Sequence, residues 1–186
     1  MTKEIHSAFE ILKKGGIIVY PTDTVWGIGC DATNAEAVQR IYDLKERSES
    51  KSMICLVNDI KMLEHHIEQV PEAALDILKL AEKPTTIIYD KPYGIAENLI
   101  SDDQTLAIRI VQDEFCQELI KKLKAPLVST SANKSGFPTP NSFKEIHVDI
   151  LKGVDYVVNL HRDKTSPNPS SILKLSNDGL VKIIRA

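Results

Sequence analysis

The hydrophobic positions of the chain follow two spacings, and each spacing predicts one kind of element. Near the N-terminus, Ile5, Phe9 and Leu12 share one helical face, which predicts a helix over residues 2–14 that ends at Gly15. Apolar stripes of the same kind predict further helices over residues 33–45, 60–68, 71–81 and 113–123, and another after residue 142 with Phe143, Ile146 and Ile150 on its inner face.

Short runs rich in β-branched and aromatic residues, bounded by turn residues, predict the strands. These runs cover residues 17–20, 53–57, 85–89, 105–110, 127–129 and 156–160. Two final runs, 171–175 and 180–185, flank Asn177, Asp178 and Gly179, which is typical of a hairpin. Because helices alternate with strands and the last pair is antiparallel, we expect an α/β domain with a mixed sheet.

Two of the predicted helices begin with the Ser/Thr-x-x-Glu pattern of a capping box, in which side chains satisfy backbone N–H groups of the first turn. Thr33 and Glu36 form this pattern before the second helix, and Ser142 and Glu145 form it before the last one. We therefore expect a regular helix to start at each of these positions.

The length of 186 residues fits one domain spanning residues 1–186. A chain of this size buries about 70% of the surface that its unfolded form exposes, so folding needs neither a disulfide nor a metal. Lysines and arginines number 23 against 26 aspartates and glutamates, for a net charge of −3. This charge gives no long-range attraction to nucleic acid or to an anionic membrane, so any cationic site must be local.

The cysteines give no sign of a disulfide framework or of a zinc site. Cys30, Cys55 and Cys116 are odd in number, far apart and without a CxxC spacing, so we expect buried, reduced thiols. No apolar run approaches the roughly 20 residues of a membrane span, and residues 1–10 hold no uninterrupted apolar signal segment. We therefore expect a cytoplasmic protein that does not bind membranes.

Polar side chains gather at three points where a predicted strand or helix ends. The first point follows the strand at residues 17–20, which Pro21 ends because it cannot donate to a central ladder. An ordinary Asx-type turn between two strands would also give this pattern. The residues that follow are small hydrogen-bonding groups, one aromatic residue and glycines that allow close approach: Thr22, Asp23, Thr24, Trp26, Gly27 and Gly29.

The second polar cluster is cationic and follows the second helix. Lys45, Arg47 and Lys51 lie between that helix and the strand at residues 53–57. The helix dipole alone could account for Lys45, and a solvated cationic loop is the commoner explanation of such a run.

The third polar cluster begins a loop at residues 129–142, at the end of a predicted strand. Loops of this composition are often solvated turns, but the carboxyl ends of strands also form ligand sites in α/β folds. The side chains at its start are rich in hydroxyl groups: Ser129, Thr130, Ser131 and Asn133.

Arg109 stands among apolar neighbours on the strand at residues 105–110. Burying a guanidinium without an anionic partner costs several kcal/mol. The partner is therefore either a structural carboxylate or a ligand, and the residues alone leave both open.

Together the three clusters have the composition of a triphosphate site, which needs cations, hydroxyl or amide donors, and glycines near the backbone. The common GxGxxG and GxxxxGK[ST] nucleotide-binding motifs are missing. No GxSxG elbow or activated cysteine marks a nucleophile either. This favours electrostatic catalysis of a transfer between bound substrates, with a metal ion on the phosphates.

Five motifs, in order along residues 15–185, carry a family resemblance. They are GGIIVYPTDTVWGIGCD, the Lys45-x-Arg47 pair with Lys51, the AIR that ends at Arg109, VSTSANKSG at residues 128–136, and PSSI at residues 169–172. The sequence resembles the YrdC/TsaC family of L-threonylcarbamoyladenylate synthases. The resemblance implies a twisted mixed sheet flanked by helices, with a concave cationic cavity.

The resemblance also implies a reaction that joins L-threonine, bicarbonate and ATP, with Mg²⁺ accompanying ATP, into threonylcarbamoyl-AMP and pyrophosphate. It assigns Lys45 and Arg47 as catalytic residues. The residues that it assigns to ATP are Lys45, Arg47, Lys51, Ser129, Ser131 and Asn133.

A second group of residues is implied for the threonine pocket. In this group Arg109 meets the threonine carboxylate, and Trp26 stands where the family commonly has tyrosine. The full group is Thr22, Thr24, Trp26, Arg109, Ser170 and Ser171, of which the two serines lie near threonine or the phosphates.

Two other functions are compatible with the same fold. One is an RNA-binding module, for which the charge of −3 predicts weak binding at most. The other is a different ATP-dependent adenylyl or carbamoyl transferase that uses the same pocket. The family also implies that the product passes to partner proteins that modify tRNA.

Overall fold

The computed structural model of the protein describes residues 1–46, 53–165, 169–176 and 179–186. Within these ranges the helices are α1 Thr2–Lys13, α2 Ala35–Lys45, α3 Ile60–Glu64, α4 Glu72–Leu80, α5 Glu114–Leu123 and α6 Val148–Gly153, with short 3-10 helices at Glu97–Leu99 and Phe143–Glu145. The strands are β1 Ile18–Tyr20, β2 Gly27–Gly29, β3 Ile54–Val57, β4 Thr85–Asp90, β5 Thr105–Ile110, β6 Leu127–Ser131, β7 Tyr156–Val157, β8 Ser171–Leu175 and β9 Val181–Arg185.

The strands of the described residues form one nine-stranded sheet in the order β7-β1-β2-β6-β3-β5-β4-β8-β9. Three neighbouring pairs are parallel, namely β1 with β7, β3 with β5, and β4 with β8, and the other neighbours are antiparallel. The mixed α/β sheet expected from the sequence is therefore confirmed, including the terminal hairpin of β8 and β9.

β1 contributes side chains to the core on both faces of the sheet, because successive residues of a strand point in opposite directions. Ile18 packs in one cluster with Leu12 of α1 and Phe115 of α5. Val19 packs in the other cluster with Ile41 of α2. Each buried aliphatic side chain contributes about 1.5–3 kcal/mol relative to exposure, so the polar segment after β1 starts from a firmly held strand.

Gly29 makes room for a buried tyrosine. A Cβ on Gly29 would lie 2.2 Å from the carbonyl oxygen of Val128 and 2.7 Å from the Tyr20 ring. The Tyr20 hydroxyl donates to that same carbonyl over 3.0 Å, and complete burial raises its pKa well above its usual range. Gly29 was expected to allow a close approach, and the group that approaches it is the neutral Tyr20 side chain. Through its hydrogen bond to Val128, Tyr20 of β1 reaches past β2 and links β1 to β6.

Both expected capping boxes differ from the structure. The N-cap of α2 is Asn34, whose side chain accepts from the N–H of Ala37, because the Thr33 hydroxyl donates instead to Asp31. Ser142 does contact Glu145, with Oγ and Oε1 3.1 Å apart, but the helical turn there ends at residue 145. The chain is then extended before α6 begins, so the single long helix predicted there is wrong.

One helix and two strands also end at other residues than predicted, because of the β-pairing at or near their ends. α3 ends at Glu64, short of residue 68, because Ile67 pairs with Pro92 in a β-bridge. β6 runs on to Ser131, which pairs with Gly27 of β2. β7 is limited to the two residues that pair with β1.

The three cysteines are free and buried, as expected. No helix within the described residues is long and apolar enough to cross a membrane.

Candidate active site

A cavity of about 210 Å³ lies over the middle of the sheet. Its walls come from β2, β3, β5 and β6, which are adjacent, and from the ends of β8 and β9. The volume suits a ligand smaller than those of typical pockets, which measure about 300–1,000 Å³. The polar side chains of the lining are hydroxyls and two guanidinium groups, from Thr24, Ser129, Thr130, Ser131, Thr139, Ser170, Arg109 and Arg185.

Arg109 is held in the cavity wall by the segment that follows β1. Its side chain is 2% exposed, and its Nη2 donates to Asp23 Oδ1 over 2.9 Å. Its Nη1 donates to Thr24 Oγ1 over 3.2 Å. The buried Nε has no hydrogen-bond partner among the described residues. An unsatisfied buried donor costs about 1–3 kcal/mol.

The two threonines around Asp23 hold each other. Thr22 Oγ1 lies 3.0 Å from Thr24 Oγ1 and donates to the carbonyl oxygen of Val25 over 2.8 Å. The N–H of Thr24 donates to Thr22 Oγ1 over 3.0 Å. Thr24 lines the cavity directly, whereas Thr22 supports it from behind.

Arg185, at the end of β9, forms another part of the wall with the segment before β8. Its Nε donates to the carbonyl oxygen of Ser170 over 2.8 Å. The Ser170 hydroxyl is buried and lies 2.8 Å from Thr86 Oγ1. Partial burial and then the charge of Arg109 lower the pKa of Arg185. Because the charge of Arg109 lowers the pKa of Arg185, the two guanidinium groups of the cavity wall repel each other.

Lys45 fastens the end of α2 to the loop after β6. Its Nζ is buried and donates to the carbonyl oxygens of Ser131 and Asn133, the second over 2.6 Å. The N–H of Ser135 donates back to the carbonyl of Lys45 over 2.9 Å. Lys134 and Glu46 add an ion pair of 2.7 Å between the same segments. Lys45, the member of the second polar cluster that the structure describes, therefore lies against the third cluster.

A second cavity, of about 540 Å³, adjoins this loop and shares Thr139 with the first. Asn133 lines it, and its Nδ2 donates to the carbonyl oxygens of Lys134 and Phe137. Another cavity of about 580 Å³, around Lys61 and Lys83, contains none of the site residues implied by the resemblance that the structure describes.

The remaining implied residues lie in three kinds of place. Trp26 packs on Phe143, with ring centroids 5.0 Å apart, and stands beside Thr22 in a small cleft outside the 210 Å³ cavity. Ser171 pairs with Thr85 in the sheet and borders the outer groove between α4 and β9. Arg47 and Lys51 lie outside the described residues.

Two polar residues of the cavity lining were not predicted as members of the site, Thr139 and Arg185. Asp23 and Thr130 belong to the predicted polar clusters, although the resemblance implies no role for either. Thr139 had a signal, since it lies in the loop at residues 129–142. Arg185 had none, because an arginine on a terminal strand reads as an ordinary solvated charge.

The arrangement is suited to binding anions and holding them in place. Two guanidinium groups face a cavity whose described lining contains no carboxylate, and arginine binds carboxylates and phosphates through paired N–H groups. Burial raises the pKa of the Cys55 thiol to about 12 and raises that of Cys116 as well, so neither is a thiolate nucleophile. Within the described residues, no cluster of three or more His, Cys, Asp or Glu side chains could hold a metal ion.

In a comparison with known protein families, one family model matches a range that includes all the residues of the site. The model of the Sua5, YciO and YrdC proteins, described as telomere recombination, matches residues 10–186. A Pseudomonas aeruginosa protein named threonylcarbamoyl-AMP synthase is 36% identical over 132 residues, which are 70% of this chain and 71% of the relative.

Two solved structures have the same fold. A variant of P. abyssi Sua5 superposes with a TM-score of 0.88 at 24% identity and covers 97% of this chain. The chain spans about half of that Sua5 chain, 55% of its length. E. coli YciO superposes with a TM-score of 0.84 at 25% identity, over 100% of this chain and 89% of the YciO chain.

Proposed function

Because the chain belongs to the Sua5/YciO/YrdC family, we propose that it makes L-threonylcarbamoyl-AMP from L-threonine, bicarbonate and ATP and releases pyrophosphate. The name of its P. aeruginosa relative supports this activity. The observation that carries the proposal is the cavity at Arg109, where a buried guanidinium with an unpartnered Nε stands among hydroxyl groups.

In this proposal the carboxylate of threonine binds the guanidinium of Arg109, which lines the cavity. Thr24 and Ser170 supply hydroxyl groups within the same cavity, and Ile54 supplies apolar surface. The nucleoside part of ATP occupies the adjoining 540 Å³ cavity, whose lining carries Glu46, Glu145 and Asp149 and so does not suit the phosphates. The triphosphate extends past Thr139, which is common to both cavities, toward Arg185.

The threonine amine first combines with bicarbonate to give an N-carboxylated amino acid and water. A carboxylate oxygen of that carbamate then attacks the α-phosphorus of ATP. A new P–O bond forms, the bond from the α-phosphorus to the bridging oxygen breaks, and pyrophosphate leaves with the electron pair. The chain thus acts as a nucleotidyltransferase that moves AMP onto a carbamate.

The protein contributes positioning and charge to this reaction. Arg185 supplies a second cation of the cavity wall. Lys45 holds the backbone that presents Ser131 and Asn133, and the assignment of all three to ATP is proposed on the strength of the family resemblance. Arg47 and Lys51 are proposed to bind the phosphates on the strength of the family resemblance.

Mg²⁺ accompanies ATP in this proposal without a protein site for it among the described residues. Those residues provide no cluster of metal-binding side chains, and the phosphates of ATP are themselves oxygen ligands of the kind that Mg²⁺ prefers. No step above depends on the ion.

The partners of the protein and its location in the cell are also proposals. We propose that the product passes to partner proteins that modify tRNA, and that the protein acts in the cytoplasm. Weak direct binding of RNA is a further expectation, which a salt-dependent RNA affinity would reveal.

Omitting one substrate at a time tests the reaction. We expect pyrophosphate release from ATP to require both L-threonine and bicarbonate, because the attacking carbamate forms from the two together. The measurement is a pyrophosphate assay on the purified protein with all substrates, without threonine, and without bicarbonate in degassed buffer. Pyrophosphate release that continues unchanged without either one would contradict the proposal and favour another adenylyl or carbamoyl transferase.

A further inference from the structure

The carboxylate of Asp23 joins two elements of the cavity wall. Its Oδ1 accepts from Nη2 of Arg109 over 2.9 Å, and its Oδ2 accepts from the backbone N–H of Gln112 over 3.1 Å. Gln112 follows β5, the strand that carries Arg109. Asp23 therefore holds the guanidinium from one side while it is itself fixed to the backbone beyond β5.

These contacts fix two of the five N–H groups of Arg109. One N–H of Nη2 is bound to Asp23, one of Nη1 is bound to Thr24, and the buried Nε has no partner among the described residues. A guanidinium is planar, so two fixed contacts set the direction of the remaining N–H groups. The arginine is thus oriented before a ligand arrives.

We propose that Asp23 is a positioning residue for the substrate carboxylate: it orients Arg109 so that the remaining N–H groups of the guanidinium meet that carboxylate. The proposal rests on the proposed function, because the carboxylate is that of threonine. It assigns to the acidic member of the PTDT segment a role in substrate binding that operates through Arg109.

Charge alone predicts the opposite effect for a change at Asp23. Asp23 and Arg109 form an ion pair with side chains 13% and 2% exposed, so the negative charge offsets much of the attraction of Arg109 for an anion. Removing that charge would strengthen threonine binding if the cavity worked by Coulomb attraction only. If orientation decides, the same change weakens binding.

Asp23→Asn tests this difference, because it removes the charge and keeps the shape. Arg109 and the Gln112 N–H donate to different oxygens of Asp23, and in the amide one of these two positions becomes an NH2 donor, so with the shape kept one of the two contacts is lost. We expect the KM for threonine to rise about tenfold, as for loss of one hydrogen bond to a charged group. The KM for ATP should stay within about twofold of the wild type.

Asp155→Asn is the matched control. Asp155 also accepts from an arginine, Arg40, at 2.9 Å and from a backbone N–H, that of Ile17, at 2.7 Å, but it lies outside the cavity. We expect this variant to lower the melting temperature without a change in either KM. A fall in the threonine KM of Asp23→Asn, or equal changes in both variants, would overturn the proposal.

An NMR measurement separates failure of this inference from failure of the proposed function. In protein labelled with ¹⁵N-arginine, the Nη groups of Arg109 should rotate slowly in the wild type because two neighbours hold them, and faster in Asp23→Asn. The assignment of the resonance comes from Arg109→Lys. Equal rotation in both proteins overturns the orienting role, whatever the substrate is, whereas slow rotation without threonine-dependent activity would reject the proposed substrate alone.

Discussion

Arg109→Lys is expected to lower kcat/KM for threonine by about a hundredfold or more. Lysine keeps the positive charge opposite Asp23, but it replaces a planar fork with a single point charge. The variant therefore cannot contact Asp23, Thr24 and a substrate carboxylate in one fixed geometry, as the guanidinium can. Loss of a buried, hydrogen-bonded charge contact costs about 2–5 kcal/mol. Steady-state kinetics with threonine as the varied substrate measures the loss, and the KM for ATP should change little.

Arg40→Lys provides the control for general effects of losing an arginine. Arg40 pairs with Asp155 at 2.9 Å with both side chains more than a third exposed, so the pair stabilises the fold little. We expect this variant to keep wild-type kinetics. Arg109→Lys with a kcat/KM for threonine within about threefold of the wild type would show that Arg109 does not bind the substrate carboxylate.

Lys45→Met is expected to lower kcat/KM for ATP by about a hundred- to a thousandfold, as for loss of one catalytic donor. Methionine is unbranched and similar in length, so it fills the space but leaves the carbonyls of Ser131 and Asn133 without the ammonium donor. Each buried carbonyl that loses its partner costs about 1–3 kcal/mol. The loop that presents Ser131 and Asn133 should therefore also show faster hydrogen exchange.

Lys13→Met is the control for this second variant, because Lys13 stands in the last turn of α1 and is exposed. We expect it to leave activity and loop exchange unchanged. If Lys45 variants, including Lys45→Ala, synthesise product at nearly the full rate with saturating substrates, Lys45 is not part of the catalytic machinery.

Much of the fold was predictable because it depends on local pattern. The strand before Pro21, the mixed sheet and the terminal hairpin follow from apolar runs and turn residues, and the structure confirms them. The family resemblance is confirmed as well, by a match over residues 10–186. Helix starts were less predictable because neighbouring polar residues compete: Asn34 caps α2 because Asp31 engages Thr33.

The partners within the site could not be read from the sequence because they are distant along the chain. The sequence left open whether Arg109 meets a structural carboxylate or a ligand. Asp23 is a structural partner 86 positions away, and Nε of the same guanidinium has no partner among the described residues. The structural carboxylate is therefore the partner that three-dimensional geometry reveals, and a ligand on the same guanidinium stays a prediction.

The contacts of Lys45 and Arg185 were also not predictable from the sequence. The motif around Lys45 suggested a direct phosphate contact, while the structure shows its ammonium bound to the backbone of the loop after β6. Arg185 carries no motif, yet it reaches the cavity because β8 and β9 continue the sheet beside β4. Neither contact is implied by spacing, since each depends on the order of strands.

The most direct test of the central claim is detection of the product by mass spectrometry. With ATP, L-threonine and ¹³C-bicarbonate, the protein should form a threonylcarbamoyl adenylate that carries the ¹³C label in its carbamoyl group, with one pyrophosphate released for each product molecule. The labelled adenylate should disappear when threonine is omitted. If pyrophosphate forms without any adenylate that contains both threonine and the ¹³C label, the protein is not a threonylcarbamoyl-AMP synthase.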